Sequence, residues 1–235
     1  MQMSSAVDLL KAAHFLRMYG DAAAEKGIRL SMGFDFDQYV SIARATPTKG
    51  PTQPVFRPDR SPINLYEGYW IIGCDENNEV VYLEAARLFN LQHSNLGDHF
   101  ESLKAFYGKP EKHAHPQDSC ICTAPSAKKI TGKVAYHGDL WVRSDFRGQG
   151  ILKSVGGLGG GISLAMWNPD FLCWLGPRWT LEKGVYNPPH RESGGAILQL
   201  VEENIAEHNW LMWMTREELR RVVSCDSTEP AVASS

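Results

Sequence analysis

Leu140-Trp-Val-Arg-Ser-Asp-Phe-Arg-Gly-Gln-Gly-Ile151 is the most informative segment of this chain. A strand predicted over residues 134–142 ends inside it, and an apolar run that favours a helix begins at Ile151. Between them lies a basic turn, Arg147-Gly-Gln-Gly150, whose glycines permit backbone φ angles that other residues rarely adopt. The segment therefore predicts a strand, a sharp turn and a helix in direct succession.

A turn of this kind is suited to binding an anion. Its backbone N–H groups point at one spot, and the N-terminus of the following helix adds partial positive charge there. The side chain of Arg147 can add a charge-assisted hydrogen bond. The segment thus predicts a phosphate or pyrophosphate site. The alternative is a structural turn that happens to contain two glycines.

The segment resembles the acyl-CoA-binding motif of the GNAT (N-acetyltransferase) superfamily, in which a strand is followed by Arg/Gln-x-x-Gly-x-Gly/Ala. The matching positions are Arg147, Gly150 and Ile151, with Gly148 and Gln149 in their usual places and Phe146 in the aromatic place before the arginine. Two positions depart from the pattern. Ser144 replaces a common proline, and Leu152 replaces the final small residue.

The resemblance implies an α/β fold with a GNAT-like central mixed sheet of six or seven strands, flanked by helices and carrying an extra N-terminal helix. In this family the motif strand and the next strand, here predicted at residues 171–175, splay apart around the thioester. The co-substrate would be acetyl-CoA or another acyl-CoA. Its pantetheine arm would pair with the backbone of Trp141, Val142 and Arg143. Its pyrophosphate would bind the amides of Arg147, Gly148, Gln149, Gly150, Ile151 and Leu152.

The implied activity is transfer of an acetyl or related acyl group from a CoA thioester to an amine-type acceptor. A non-catalytic GNAT-like binding module is the rival interpretation. Transfer to an amine needs a base, and it can use an acid for the leaving thiolate. The titratable residues closest to the implied thioester site are His137, Asp139 and Glu84, each of which has an ordinary structural alternative. Tyr186 is the candidate acid, against a role in packing.

The chain is predicted to form one domain with an N-terminal extension and a tail. Residues 1–62 hold a helix at 4–26, a short strand at 28–34, a helical turn at 37–45 and a Pro-rich loop. Residues 63–223 form the GNAT-like acyl-CoA-binding core, and residues 224–235 are predicted to be disordered. The further elements predicted in the core are a hairpin at 69–74 and 80–85, a helix at 96–107, an irregular loop at 110–125, strands at 197–202 and 210–215, and a last helical turn at 217–223.

Five glycines lie where the family has a helix: Gly156, Gly157, Gly159, Gly160 and Gly161. Each costs a helix about 1 kcal/mol relative to alanine. Either close packing against neighbouring backbone stabilises this helix, or the helix is broken.

The composition of the chain limits the classes of partner that it is expected to bind. A net charge of −3 gives no whole-surface attraction to nucleic acid or to anionic membranes. No stretch reaches the roughly 20 apolar residues that span a bilayer, and no signal peptide is recognisable. The 5 cysteines form no regular framework, which favours a reducing cytoplasm. The expected partner is a small-molecule or protein amine, with no nucleic acid and no membrane, and a homodimer is allowed.

One loop carries four potential zinc ligands, His113, His115, Cys120 and Cys122. Zinc pairs are commonly spaced Cys-x-x-Cys, and the single-residue spacing seen here strains a shared tetrahedral site. The sequence therefore predicts an irregular surface loop without metal.

Overall fold

A computed structural model describes residues 8–224 of the chain. Within them, eight strands form one mixed sheet: β1 (Arg29–Gly33), β2 (Gly68–Cys74), β3 (Val80–Leu91), β4 (Ser119–Ile121), β5 (Gly132–Val142), β6 (Phe171–Pro177), β7 (His190–Leu200) and β8 (Ile205–Thr215). Their order is β1-β2-β3-β5-β6-β8-β7-β4. Only β5 and β6 run parallel. The predicted α/β class is confirmed, but the predicted strand number is too low.

Helices cover both faces of the sheet: α1 (Leu9–Ala24), α2 (Phe36–Ala45), α3 (Leu96–Glu101), α4 (Pro110–His113), α5 (Ile151–Val155), α6 (Leu158–Trp167), α7 (Arg178–Glu182) and α8 (Arg216–Ser224). One apolar core packs under α1, α5, α6 and α8, and a second packs under α2 and α3. The carboxylates of Asp8 and Asp35 cap α1 and α2 by accepting from amides of the first turn. The predicted N-terminal helix is confirmed from residue 9 onward. Residues 4–7 and the predicted tail from 225 lie outside the described part.

Two predictions about the segment between β3 and β5 are wrong. The helix predicted over residues 96–107 ends at Glu101, because Leu103 takes a left-handed conformation with φ of 59°. The reversed chain then stacks Phe106 on Phe100, with ring centroids 6.0 Å apart in the core. The loop predicted over residues 110–125 contains α4 and β4. β4 pairs with β7 and adds the eighth strand.

The glycine-rich segment is both broken and closely packed. The helix is interrupted at residues 156–157, between α5 and α6. A Cβ on Gly157 would lie 2.3 Å from the ring of Tyr19, and one on Gly161 would lie 2.9 Å from Phe15. Glycine therefore allows α1 to cross α6 at backbone distance, and this contact offsets the poor helix propensity.

The parallel strands separate as the resemblance implied. β5 and β6 pair only over residues 134–137 and 171–174. Beyond that point β6 continues alongside β8, whereas β5 continues alongside β3. A bulge in β5 assists the divergence, since Asp139 has a φ of 54° and the register with β3 shifts there.

Candidate active site

A cleft of about 570 Å³ opens where β5 and β6 separate. Strand ends form its floor, and three segments form its walls: the loop after α2, the stretch from α7 to Tyr186, and the turn between β7 and β8. Its lining residues include Lys49, Asp139, Trp141, Tyr186, Glu203 and Glu207. Concave sites that combine apolar walls with a few polar groups are where ligands typically bind.

One edge of β5 is open along this cleft. Residues 138–142 have β3 on one side and no strand on the side that β6 leaves. The buried indole Nε1 of Trp141 also has no hydrogen-bond partner within residues 8–224. Buried donors without partners are rare, and this one belongs to a residue that lines the cleft.

The turn after β5 has the conformation that anion binding requires. Gly148 and Gly150 have φ of 76° and 75°, and added Cβ atoms at either position would meet open space. Within the described residues, the amides from Gly148 to Leu152 donate to no other group. Five consecutive free N–H groups at the start of a helix form a ready anion site. We call residues 147–152 the phosphate loop, after the ligand that the sequence predicts for this turn.

Two arginines near the phosphate loop, Arg147 and Arg143, differ in whether their guanidinium groups are free to bind a ligand. Arg147 donates from Nε to the carbonyl of Val142 at 2.7 Å, and its two Nη groups have no partner within residues 8–224. Arg143 pairs with Asp75 at 2.7 Å and with Asp145 at 2.8 Å, so its side chain braces the turn. Leu152 packs against the core below α1 and α6, and its bulk is thereby directed inward.

Tyr186 lines the cleft, as a candidate acid must. Its ring lies against Trp174, with centroids 5.8 Å apart. Burial raises the pKa of Tyr186 well above the usual value, and the charge of Glu84 raises it further. The hydroxyl therefore stays protonated at neutral pH and can donate.

Asp139 lines the cleft, but its carboxylate is already engaged. It accepts from Lys49 Nζ at 3.0 Å and from the Tyr39 hydroxyl at 2.7 Å. The side chains of Lys49 and Asp139 are only 5% and 3% exposed. This buried ion pair attaches the loop after α2 to the bulge of β5.

His137 and Glu84 do not reach the cleft. Both are buried beneath α6, and His137 Nδ1 lies 2.9 Å from Glu84 Oε1. Neither belongs to the lining, so neither is placed to take a proton directly from a bound amine.

Glu207 was not predicted from the sequence to be a site residue. It lines the cleft from β8 and, within the described residues, its carboxylate accepts only from the amide of Asn209, at 2.8 Å. By contrast, the carboxylate of Glu203 forms ion pairs with Arg57 and Arg60. Because the late strand was predicted to start at residue 210, Glu207 fell outside it. A strand starting at Ile205 would have placed Glu207 and Asn209 on one face.

The four potential zinc ligands are dispersed. Cys120 and Cys122 point into the core below α3, and burial raises the pKa of Cys120 to about 12. Within residues 8–224, no group of three or more His, Cys, Asp or Glu side chains could hold a metal ion.

We therefore expect protein washed with a chelator to contain no stoichiometric zinc, because zinc binds thiolate and these thiols stay protonated. Elemental analysis of wild type and of Cys120→Ser checks this. One zinc per chain in the wild type, lost in the variant, would contradict it.

The chain is similar to N-acetyltransferases. Arabidopsis thaliana NAA60 in complex with acetyl-CoA is 11% identical, with 80% of this chain and 98% of that chain covered and a TM-score of 0.45. The ribosomal-protein-S5-alanine acetyltransferase of Vibrio fischeri is 10% identical, with 82% and 95% covered and a TM-score of 0.42. The aminoglycoside N(6')acetyltransferase of Legionella pneumophila is 10% identical, with 83% and 96% covered and a TM-score of 0.40.

A scan against protein-family models finds no match, and neither does a search of curated proteins. Structural similarity at TM-scores below 0.5 does not assign an activity. Function therefore has to follow from the geometry of the cleft and the phosphate loop. In addition, no helix within residues 8–224 is long and apolar enough to cross a membrane.

Proposed function

We propose that this protein is an acyltransferase that moves an acetyl or related acyl group from a CoA thioester to an amine. One observation carries the proposal. The five free amides of the phosphate loop lie one short turn beyond a strand whose open edge runs into the cleft that holds Tyr186 and Glu207. A pyrophosphate and a thioester arm are the two parts of one molecule that such a continuous path would bind.

The phosphate loop and Arg147 would bind the pyrophosphate of acyl-CoA. The open edge of β5 would hold the pantetheine arm by strand-like hydrogen bonds, with the thioester in the cleft. The indole N–H group of Trp141 has no partner within residues 8–224, which makes this side chain a candidate donor to a polar atom of the ligand.

Glu207 is our candidate base. Its carboxylate would take a proton from the attacking amine, directly or through water, as the nitrogen bonds to the thioester carbon. When the carbon–sulfur bond breaks, Tyr186 would give its proton to the leaving thiolate. Protons thereby balance, with one taken by Glu207 and one given by Tyr186. His137 and Glu84 take no direct part, and Asp139 has a structural role.

Two measurements on the wild-type protein test the proposal. Calorimetry with acetyl-CoA should show saturable binding, and mass spectrometry with mixed amines should show acylated product. No binding at millimolar acetyl-CoA, nor of longer acyl chains, would overturn it. Binding without turnover would instead support the non-catalytic module.

Tyr186→Phe should lower kcat about tenfold or more and leave the affinity for acetyl-CoA unchanged, because the ring still packs and only the proton donor is lost. In the wild type, the raised pKa keeps the hydroxyl protonated above its usual titration near pH 10. Titration of Tyr186 should therefore not reduce kcat up to about pH 10. Steady-state kinetics from pH 7 to 10 on both proteins measures this. An unchanged kcat in the variant would remove Tyr186 from the mechanism.

We also propose a cytoplasmic location. The four cysteines within the described residues are all free thiols, as expected in a reducing compartment. A homodimer and the exclusion of nucleic acid remain predictions from sequence, and the acceptor is proposed only as an amine.

A further inference from the structure

A buried hydrogen-bonded network lies beneath the cleft, between the sheet and α6. Its five members are Tyr69, Tyr82, Glu84, His137 and Ser163. His137 contacts Glu84 through Nδ1 and Ser163 Oγ through Nε2, each at 2.9 Å. The hydroxyl of Tyr82 donates to the other oxygen of Glu84 at 2.6 Å. We call these five residues the buried network.

The network resembles a nucleophilic triad in its order of serine, histidine and carboxylate. It cannot act as one, because Ser163 is 0% exposed and lies outside the cleft lining. No substrate atom can reach its hydroxyl in this arrangement. Its function must therefore be exerted through the parts of the chain that it connects.

The two connected segments, β5 and α6, lie on either side of the phosphate loop in the sequence. His137 is the last residue of β5 that pairs with β6, and Ser163 lies 26 residues later in α6. The phosphate loop lies midway between them. The hydroxyl of Tyr69 makes a second connection, donating to the carbonyl of Gly159 at 2.6 Å, one helical turn before Ser163. The same hydroxyl also lies 3.0 Å from Ser163 Oγ, so three hydrogen bonds from the sheet set the rotation and the axial position of α6.

Gly159 allows this arrangement. A Cβ at this position would lie 2.6 Å from Glu84 Oε1 and 2.8 Å from His137 Cε1. Any larger residue would separate α6 from the sheet and lengthen these hydrogen bonds. A buried polar network stabilises one arrangement when all its members are satisfied, whereas apolar contacts tolerate sliding.

We propose that Ser163, His137 and Glu84 are positioning residues that hold the phosphate loop in register with the open edge of β5. This inference rests on the proposed function, since it concerns the binding of one ligand along both surfaces. A ligand that spans the loop and the strand needs both at a set separation. A ligand that contacts only the loop does not depend on that separation.

Comparing these two kinds of ligand tests the proposal. Ser163→Ala removes the hydroxyl that joins α6 to both His137 and Tyr69, with little change in volume. Calorimetry should show CoA bound about tenfold more weakly than by the wild type, a loss on the order of the net free energy of a hydrogen bond. ADP, which carries a pyrophosphate but no pantetheine arm, should compete for the loop with unchanged affinity. The KM for the amine should also be unchanged.

Ser126→Ala is the matched control, because that hydroxyl also makes a side-chain hydrogen bond, to Glu192 at 2.6 Å, outside the buried network. It should lower the melting temperature without changing CoA affinity. Equal loss of CoA and ADP binding in Ser163→Ala, or no loss of either, would overturn the positioning role while the proposed function stands. Failure of wild-type protein to bind CoA would overturn both. Ser163→Cys, which retains a weak donor, provides a second variant should Ser163→Ala fold poorly.

Discussion

Gly150→Val is expected to lower the affinity for acetyl-CoA more than about a hundredfold while the protein remains folded. Gly150 has a φ of 75°, which a β-branched residue adopts only at a cost of about 1–2 kcal/mol. Relaxation of that strain rotates the neighbouring amides away from their common target. The added side chain would also project into the open space beside the loop, where the pyrophosphate is expected. Calorimetry and thermal melting on the same samples measure both effects.

Gly27→Val is a closely matched control. Gly27 has a φ of 72°, also has nothing within 4 Å of an added Cβ, and lies between α1 and β1. It should lower the melting temperature about as much as Gly150→Val and leave acetyl-CoA affinity unchanged. Arg147→Ala should weaken binding only about tenfold, because the backbone amides supply most of the contacts. Unchanged affinity in a folded Gly150→Val protein would refute the phosphate site.

The turn at residues 147–152 could be predicted from sequence because its geometry is local. A strand, two glycines and an apolar run specify the turn within a dozen residues, and the positive φ angles at Gly148 and Gly150 follow from residue type. The helix predicted at residues 96–107 fails for the opposite reason. Its helical pattern is sound, but burial of Phe106 against Phe100 requires the chain to reverse at Leu103. Distant packing decides that reversal.

The candidate bases His137 and Asp139 show a second limit on what can be predicted from the sequence. His137 and Asp139 are two residues apart, so strand alternation places both side chains on one face of the sheet. The bulge at Asp139 breaks the alternation. His137 contacts α6, whereas Asp139 contacts Tyr39 and Lys49 from the region of α2. A left-handed aspartate has no reliable sequence signal, so the opposite placement of the two residues could not be foreseen.

Glu207→Gln should lower kcat by about a hundredfold or more, the range for loss of a general base. Glutamine keeps the shape of the side chain and can still contact Asn209, but its amide cannot accept a proton at neutral pH. Acetyl-CoA affinity should be unchanged, because the phosphate loop and the open edge of β5 lie on other elements. Steady-state kinetics with an accepted amine, together with calorimetry, separates these two quantities.

Glu202→Gln is the control for charge. Glu202 lies on the turn that leads into β8 and pairs with Arg60 at 3.2 Å, but it does not line the cleft. The variant removes an equal negative charge a few residues away, so a long-range electrostatic effect on a cationic amine would appear in both variants. A fall in kcat confined to Glu207→Gln requires that carboxylate itself. Equal kcat values in Glu207→Gln and the wild type would contradict the role of Glu207 as the base.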